Sequence, residues 1–383
     1  MDFSLSMEHE ILRKSVRDFA EKEIKPVARE LDEKEEFSYS TMKGMAELGL
    51  FGAFVSDEYE GQGMDYISYI ICTEEIARID GSHAATVAAG NSLGIGPIYY
   101  YGNEEQKKKY LPKACRGESL LAFGLTEPNA GSDAGSTKTN AVLDGDEWVI
   151  NGSKIFITNA STDISDSVIA LCRTGTRENG QPELTSIIVE KGTPGFETRT
   201  MHGKLMWRAS NTAELYFDDC RVPKTNLLGP VGEGFHQMLG TLDGGRLSIG
   251  AMGLGGAQGS FDLALNYSKE RYQFGSPVST FQVNSFKLAD MATEIECARL
   301  ILYKACWLKD QHKPYGKVAA MAKLYCSEVM SRCADKAVQL HGGYGLMKEY
   351  DIERFYRDQK LLEIGEGTSE VQRIVISRLV GAV

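Results

Sequence analysis

The hydrophobic periodicity of this chain changes twice along its length, and that double change leaves few architectures open. From 11 to 32, Leu12, Val16, Phe19, Ile24, Val27 and Leu31 recur at steps of three to five, the period of an amphipathic helix. Pro26 falls inside this stretch and is expected to kink or split it. Helical patterns follow near 40–50, 66–79 and 104–115, separated by breaks such as Glu60-Gly61-Gln62-Gly63. Near 119 the pattern shortens to strand-like runs at 119–125, 140–143, 148–150, 154–158, 167–172, 185–189 and 213–217. Asp144-Gly145 and Asn151-Gly152 read as turns between them. This spacing predicts a small antiparallel barrel or sandwich. Past Gly232 helical patterns return, over roughly 234–268, 279–311, 315–340 and 367–380. In the third, Ala319, Ala322, Leu324, Val329, Cys333 and Val338 form an inner stripe that core packing explains. Apolar stripes this extensive could also bury against other subunits.

A chain of 383 residues is too long for one core. The expected organisation is α+β and multi-domain: an N-terminal helical domain at 1–118, a middle β-domain at 119–228 and a C-terminal helical bundle at 229–383. Several function classes drop out. No apolar run approaches the ~20 residues a membrane-crossing helix needs. Met1 to Met7 shows no basic stretch followed by an apolar one, so a cytoplasmic protein is expected. A formal net charge of −11 disfavours nucleic acid, whose phosphates demand a basic face. The eight cysteines contain no CxxC pair and sit among apolar neighbours, which reads as small buried residues in a reducing compartment and argues against zinc. The run Gly253-Leu254-Gly255-Gly256-Ala257-Gln258-Gly259 is not GxGxxG and follows no strand, so a Rossmann site is unsupported. Close helix packing explains those glycines better.

Five segments can carry chemistry. Phe123-Gly124-Leu125-Thr126-Glu127-Pro128-Asn129-Ala130-Gly131-Ser132-Asp133 ends a strand in a turn that presents hydroxyls and backbone N–H groups, able to grip a polar heterocycle or a phosphate; it also fits a plain surface turn. Lys154-Ile155-Phe156-Ile157-Thr158-Asn159 offers an aromatic that could stack on a planar ring or serve as an ordinary sheet-core residue. Arg271-Tyr272-Gln273-Phe274-Gly275, with Phe281-Gln282 close behind, suits pyrophosphate and adenine, though an Arg after a helix is usually a solvated charge. Gln339-Leu340-His341-Gly342-Gly343-Tyr344-Gly345 lets a ligand approach backbone N–H groups, and no nucleophile motif accompanies His341. Ile364-Gly365-Glu366-Gly367-Thr368-Ser369-Glu370 places a carboxylate between glycines, in a loop or at a helix start that Thr368 or Ser369 can cap. Such a carboxylate can swing into a pocket as a general base, or it can be one solvated acid among Glu363, Glu366 and Glu370.

In this order and at this spacing the five segments resemble the acyl-CoA dehydrogenase family over the whole chain. The joint presence of Leu125-Thr126-Glu127-Pro128 with Gly131-Ser132-Asp133, of Arg271-Tyr272-Gln273-Phe274-Gly275, and of Glu366-Gly367-Thr368-Ser369 with Gln372-Arg373 carries the likeness. The resemblance implies an N-terminal helical domain, a middle β-domain and a C-terminal four-helix bundle, with FAD between the last two. It implies a homotetramer, a dimer of dimers, in which a neighbouring subunit helps to hold the FAD. Carried over residue by residue, Phe123, Leu125, Thr126, Phe156 and Thr158 should meet the flavin, and Ser132 should touch both flavin and substrate. Arg271, Gln273, Phe274 and Gln282 look like ligands of the FAD pyrophosphate and adenosine. Gln339, Gly342 and Gly343 should contact FAD partly across the dimer, and Thr368 and Glu370 look like FAD neighbours. Asp243 and Arg246 resemble positions that touch the CoA part of the substrate, and Gly367 looks like a further substrate contact.

Glu366 matches the base of short- and medium-chain members. Where other members place the base, just before the arginine of the 243–246 segment, this chain has Gly245, which cannot act as one. The implied reaction is α,β-dehydrogenation of an acyl-CoA thioester to the 2-enoyl-CoA, with the α-proton going to Glu366, the β-hydride to flavin N5, and the electrons on to electron-transferring flavoprotein. The thioester oxygen is held in the family by a flavin ribityl hydroxyl and the base's own backbone N–H.

Two positions depart from the pattern, and two more bear on the acyl pocket. Gly365 replaces a frequent Tyr and widens the expected pocket. Trp207 replaces an aliphatic residue and fits either pocket shaping or packing at a domain interface. On the stretch 84–96, which resembles the acyl-pocket wall, Ala84 stands where glutaryl-CoA-type members carry an arginine, which argues against a dicarboxylate. Asn91 on the same stretch is expected to face the pocket, where its amide could orient a ring. Alicyclic substrates such as cyclohexane- or cyclohexene-carboxyl-CoA therefore stay open, as does an acyl-CoA oxidase, whose chains are normally longer. A non-catalytic member of the fold is the remaining class, against which the intact Glu366 argues.

Overall fold

The computed structural model describes residues 4–382, so the first three residues of the Met1–Met7 segment lie outside it. Helix α1 (Met7–Phe19) is capped by Ser6, which accepts from the His9 amide at 3.2 Å. A π turn at Ala20–Ile24 leads into α2 (Lys25–Lys34), with Pro26 in its first turn. Pro26 therefore splits the stretch: proline lacks the N–H a continuous helix would need and is at home at a helix start. Helices α3 (Tyr39–Glu47), α4 (Tyr66–Ala77) and α7 (Glu104–Cys115) fall where the periodicity put them. Between them lie α5 (Gly81–Ala89) and α6 (Gly96–Tyr101), joined by a π turn at Gly90–Ile95. Helix α4 is central, with Ile70, Ile71, Cys72, Thr73 and Ile76 all fully buried.

The middle segment forms β1 (Leu120–Gly124), β2 (Asn140–Asp144), β3 (Glu147–Thr158), β4 (Ser165–Thr176), β5 (Pro182–Glu190), β6 (Phe196–Thr200), β7 (Thr212–Pro223) and β8 (Leu227–Leu228). They make one eight-stranded sheet in the order β6-β7-β3-β2-β4-β5-β8, with β1 beside β4. It is not purely antiparallel. β1 runs parallel to β4, and β2 touches β4 in parallel. The reason is connectivity: β1 is separated from its partner by a long loop and the whole β2–β3 hairpin, and no tight turn joins them. Asp144-Gly145 is a turn, as expected, with Gly145 at φ +64°. Asn151-Gly152 is a bulge inside β3, so 148–150 and 154–158 are one strand. Gly152 sits at φ +144°, and a Cβ there would lie 2.6 Å from Thr139 Oγ1. Trp148, Ile150, Val168, Ile187, Leu215 and Phe217 fill this domain's own core.

The C-terminal part holds α8 (Gly234–Glu270), a short hairpin of β9 (Tyr272–Gln273) and β10 (Ser276–Pro277), then α9 (Gln282–Asp310), α10 (Gly316–His341), α11 (Ile352–Leu362) and α12 (Ser369–Leu379). Its core is continuous with that of the N-terminal helices. The inner line of α10 runs through Ala319, Lys323, Cys326, Met330, Cys333 and Ala337, all buried, whereas Leu324 and Val338 are only partly buried. Seven cysteines are buried; Cys297 is exposed, a correction to the uniform expectation. No helix among the described residues is long and apolar enough to cross a membrane.

The glycine run of α8 lets two neighbours approach at once. A Cβ on Gly255 would overlap the Glu74 carbonyl and lie 2.9 Å from Ala77 Cβ, while one on Gly253 would lie 2.9 Å from the Cys326 backbone. Gly255→Ala should destabilise the protein by about 1–3 kcal/mol, because α8 must lift off the backbone of α4. Gly250→Ala meets only the movable Leu302 side chain at 3.0 Å and should cost less. Urea denaturation of both variants measures the difference.

Helix α11 is tied to both other domains through its buried charged residues. Asp80, the N-cap of α5, accepts from the His83 amide at 2.9 Å, pairs with His83 Nδ1 at 2.6 Å, and binds the buried Arg354 guanidinium. Burial alone would raise the Asp80 carboxyl, but Arg354 and His83 more than reverse that and hold it at about 2. His83 Nε2 reaches Thr41 Oγ1 at 2.9 Å. Asp358 accepts from the Trp207 amide at 2.9 Å, and the Trp207 indole packs where a side chain on Gly81 would otherwise sit. Trp207 is thus a buried domain-interface residue held at φ +43°.

Candidate active site

Helix α11 ends at Leu362, and the chain crosses to α12 through Glu366 at φ +52° and Gly367 at φ +91°. A non-glycine residue in the left-handed region is uncommon and needs support from its surroundings. Here the support is explicit. Gln372 Nε2 donates to the Glu366 and Gly367 carbonyls at 3.2 and 2.9 Å, and Lys323 Nζ donates to the Gly367 carbonyl at 2.8 Å. Thr368 caps α12 by accepting from the Val371 amide.

This turn carries the Glu366 side chain over to α8. Its carboxyl lies where a side chain on Gly245 would be: a Cβ there would overlap Oε2 and come 2.7 Å from Cδ. Glu366 as a residue is partly exposed, yet Oε2 is buried and has no hydrogen-bond partner. Burial pushes the carboxyl from the usual 4.5 up to about 7, against the opposing pull of Lys323 and Arg246. A group poised there can both take and return a proton near neutrality.

Arg246 lies one residue from Gly245. It is buried, pairs with Asp243, and has an Nε without a partner. Burial raises the Asp243 carboxyl while Arg246 and Lys309 pull it down. Glu366, Asp243, Arg246 and Gly367 are therefore brought to one place. Asn91 is not part of it. It is fully buried, its Nδ2 donates to the Leu50 and Val87 carbonyls at 2.8 and 3.0 Å, and its Oδ1 accepts from the Ala53 amide at 3.3 Å. The amide ties the π turn after α5 to the 50–53 segment, which leaves it nothing to offer a substrate ring.

A second surface forms where β1 ends. The Thr126 carbonyl accepts from the Ile155 amide at 2.9 Å, and the Leu125 carbonyl accepts from Lys154 Nζ at 3.2 Å. Glu127 locks this junction: it binds Lys154 Nζ at 2.8 Å and accepts from the Lys138 and Thr139 amides. So Leu125 and Thr126 at the end of β1 lie against the part of β3 that carries Phe156 and Thr158, while Phe123, earlier on the strand, is buried at the edge of the core. Phe156 is not a core residue; it is 62% exposed at φ +62°, in a stretch of β3 whose register shifts between Lys154 and Ile157. Ser132 is exposed in the loop beyond.

A third group lies elsewhere. Arg271 at the end of α8 stacks 5.6 Å from the Tyr344 ring, which joins the 271–275 and 339–345 segments. Gln273, Gln282, Gln339 and Glu370 are exposed, and Phe274 is 96% exposed at φ +51°. A Cβ on Gly342 or Gly343 would meet nothing within 4 Å. His341 is buried, bonded to the Ala337 carbonyl and stacked on Tyr267, so its ring is structural. Among the described residues, no hydrogen bond, ion pair or ring contact joins this third group to the wall formed by β1 and β3.

The arrangement suits a flavin. An outward aromatic at a polar strand edge can lie against a planar ring, the open glycine backbone can accept a diphosphate, and an unpartnered buried carboxylate oxygen faces a glycine gap. Comparison with known proteins agrees. The N-terminal, middle and C-terminal domain models of acyl-CoA dehydrogenase match residues 6–118, 122–220 and 232–381. The chain belongs to the acyl-CoA dehydrogenase family. It is 51% identical over 378 residues to a probable acyl-CoA dehydrogenase of Bacillus subtilis, covering 99% of each. It is 47% identical to a short-chain specific acyl-CoA dehydrogenase of Clostridium acetobutylicum, covering 98% of this chain and 99% of the relative. Among solved structures, butyryl-CoA dehydrogenase from Megasphaera elsdenii superposes with a TM-score of 0.95 at 42% identity, covering 99% of this chain and all of the other. A chain from work on the electron transferring flavoprotein of Acidaminococcus fermentans gives 0.96 at 43% identity, over the full length of both. As a member of this family the chain is an FAD-dependent oxidoreductase acting on acyl-CoA thioesters.

Sequence reasoning did not single out Lys323, Gln372 or the Glu127–Lys154 pair as site residues. For Lys323 a signal was available: it is the one charged residue on the 319/323/326/330/333/337 line, whose other members are Ala, Cys and Met. Gln372 belongs to the Gln372-Arg373 motif, but its task, binding the Glu366 and Gly367 carbonyls, follows only from the fold.

Proposed function

We propose that this acyl-CoA dehydrogenase acts on short linear acyl-CoA thioesters, with Glu366 as the base that removes the α-proton. The observation that carries this reading is the buried, unpartnered Glu366 Oε2 on a left-handed turn opposite Gly245. FAD, when bound, supplies the two-electron acceptor for the β-hydride. The chain's own residues do the rest. Asp243 and Arg246 hold the CoA moiety beside the cleft, with Gly367 and Ser132 adjoining the thioester. The Glu366 backbone N–H donates to the thioester oxygen as negative charge develops there, an effect worth ~3–4 kcal/mol per donor. Phe123, Leu125, Thr126, Phe156, Thr158 and Ser132 form the flavin wall. Arg271, Gln273, Phe274, Gln282, Gln339, Gly342, Gly343, Thr368 and Glu370 serve the rest of the FAD.

The separation of the third group from the wall supports a shared FAD site in a homotetramer, because one subunit's Gln339–Gly343 region can then serve its neighbour. Exposed Val283, Phe286, Leu300 and Trp307 on α9 offer apolar surface for such packing. The domain divisions are placed at 118/119 and 228/229. Electron-transferring flavoprotein is the proposed acceptor, in keeping with the Acidaminococcus relative.

Short linear substrates are favoured by the names of the Clostridium and Megasphaera relatives. Asn91 no longer supports an alicyclic ring, and the buried Ala84 supplies no cation for a distal carboxylate. The test is anaerobic flavin bleaching with linear, branched, alicyclic, aryl and dicarboxylic CoA thioesters, followed by peroxide measurement in air. Butyryl-CoA should bleach the flavin fastest and yield little peroxide. Faster bleaching by a cyclohexane-carboxyl thioester, or stoichiometric peroxide, would overturn the assignment.

A further inference from the structure

A lysine on the inner line of a bundle helix is costly. Lys323 is fully buried on α10, among Ala319, Ala320, Ala322, Cys326 and Ser327. A methionine of similar volume would fill the same space without a charge to desolvate, so the ammonium calls for a reason. The structure offers one direct contact: Lys323 Nζ donates to the Gly367 carbonyl at 2.8 Å, one residue after the base. That places the ammonium beneath the Glu366 turn, where its charge acts through space on the carboxylate without pairing with it.

We propose that Lys323 is a positioning residue for the dehydrogenation, steadying the left-handed turn beneath Glu366 and supplying the buried counter-charge its ionised carboxylate needs. The proposal rests on Glu366 being the base.

The two tasks are separable, because Gln372 shares only one of them. Its amide bonds the same Gly367 carbonyl, and that of Glu366, without carrying charge. The other groups around Glu366 do not replace the ammonium. Arg246 on α8 is paired with Asp243. Tyr69 on α4 is a phenol kept neutral by burial. Glu363 and Glu370, from the segment of Glu366 itself, act on Lys323 with the same sign as Glu366. Burial lowers the lysine from its usual 10.5 to about 8, with Glu366 opposing that shift and Arg246 adding to it, so it is mostly charged near neutrality.

The sign follows directly. Removing a cation from beside a carboxylate makes its ionised form less favourable, so the acid limb of kcat/KM, set near 7 by Glu366, must move to higher pH. The test is flavin reduction by butyryl-CoA as a function of pH in the FAD-loaded holoenzyme and its variants. Lys323→Met should keep its FAD and shift the limb up by about one unit, a loss of about tenfold below the limb that is largely recovered above it. Lys323→Arg, which keeps the charge, should leave the limb in place. Gln372→Leu should lower the rate at every pH without moving the limb. An unmoved limb in FAD-loaded Lys323→Met overturns the proposal. If that variant binds no FAD, Lys323→Gln is read in its place: a limb moved to higher pH supports the proposal and an unmoved one overturns it. Glu366→Gln separates the two readings. Turnover retained in Glu366→Gln removes the base itself, whereas an inactive Glu366→Gln beside an unmoved Lys323→Met limb removes only the lysine's role.

Discussion

Glu366→Gln should lower the rate of flavin reduction by about 10²–10⁴-fold while FAD and thioester binding persist. The substitution is unusually clean here. Oε2 makes no hydrogen bond, so the amide breaks none, and the left-handed turn is held by Gln372 and Lys323 through backbone carbonyls that the variant keeps. Stability should respond in the opposite sense. The carboxyl titrates at about 7 in the folded chain against an ordinary 4.5, so the folded state keeps a proton that the unfolded state releases. The stability this contributes is present below 4.5 and is lost as pH rises through about 7. The glutamine variant lacks that loss, and its Tm should hold up better than the wild type's at alkaline pH. Flavin bleaching and thermal melts on the same preparation read both effects. Unchanged turnover would rule the residue out as base.

Gly245→Ala should lower kcat/KM by about 10²-fold without unfolding the protein. Alanine is favoured over glycine inside a helix by up to ~1 kcal/mol, so α8 itself gains. The methyl group, however, would occupy the place of Oε2 and lie 2.7 Å from Cδ of Glu366, forcing the carboxyl out of its pocket. Displacement of a reacting group by about 1 Å is enough for a loss of that size. Gly244→Ala is the matched control, since its Cβ meets Tyr66 Oη at 3.1 Å and points away from the base. Steady-state kinetics on the two variants, with FAD content checked by absorbance, should show a large loss in the first and a small one in the second.

Much of this was legible from residue pattern. The period of 104–115 gave α7 to the residue, and Asp144-Gly145 marked a real hairpin, because both depend on local chemistry. Asn151-Gly152 carried the same local signature and became a bulge, because Thr139 packs against Gly152 from across the sheet. That contact is non-local and leaves no mark in the dipeptide. α11 is not among the helices expected from the pattern: its Arg354 and Asp358 are buried against partners from other domains, contacts that the local sequence does not show. At the site, motif likeness named Glu366, Asp243, Arg246 and Gly367, which the fold brings together. It misjudged Asn91, where a polar residue on a pocket-like segment turned out to serve the backbone behind the wall.

The ionic knot around α11 bears on how the thioester gets in. Moving the N-terminal domain away would strip Asp80 from Arg354, and moving the middle domain away would take the Trp207 amide from Asp358, so either motion would have to break a buried polar contact. A clam-shell opening is therefore uphill at every turnover. The tie lies on the helix that runs into the Glu366 turn, so the base stands on a platform already fixed against both neighbouring domains.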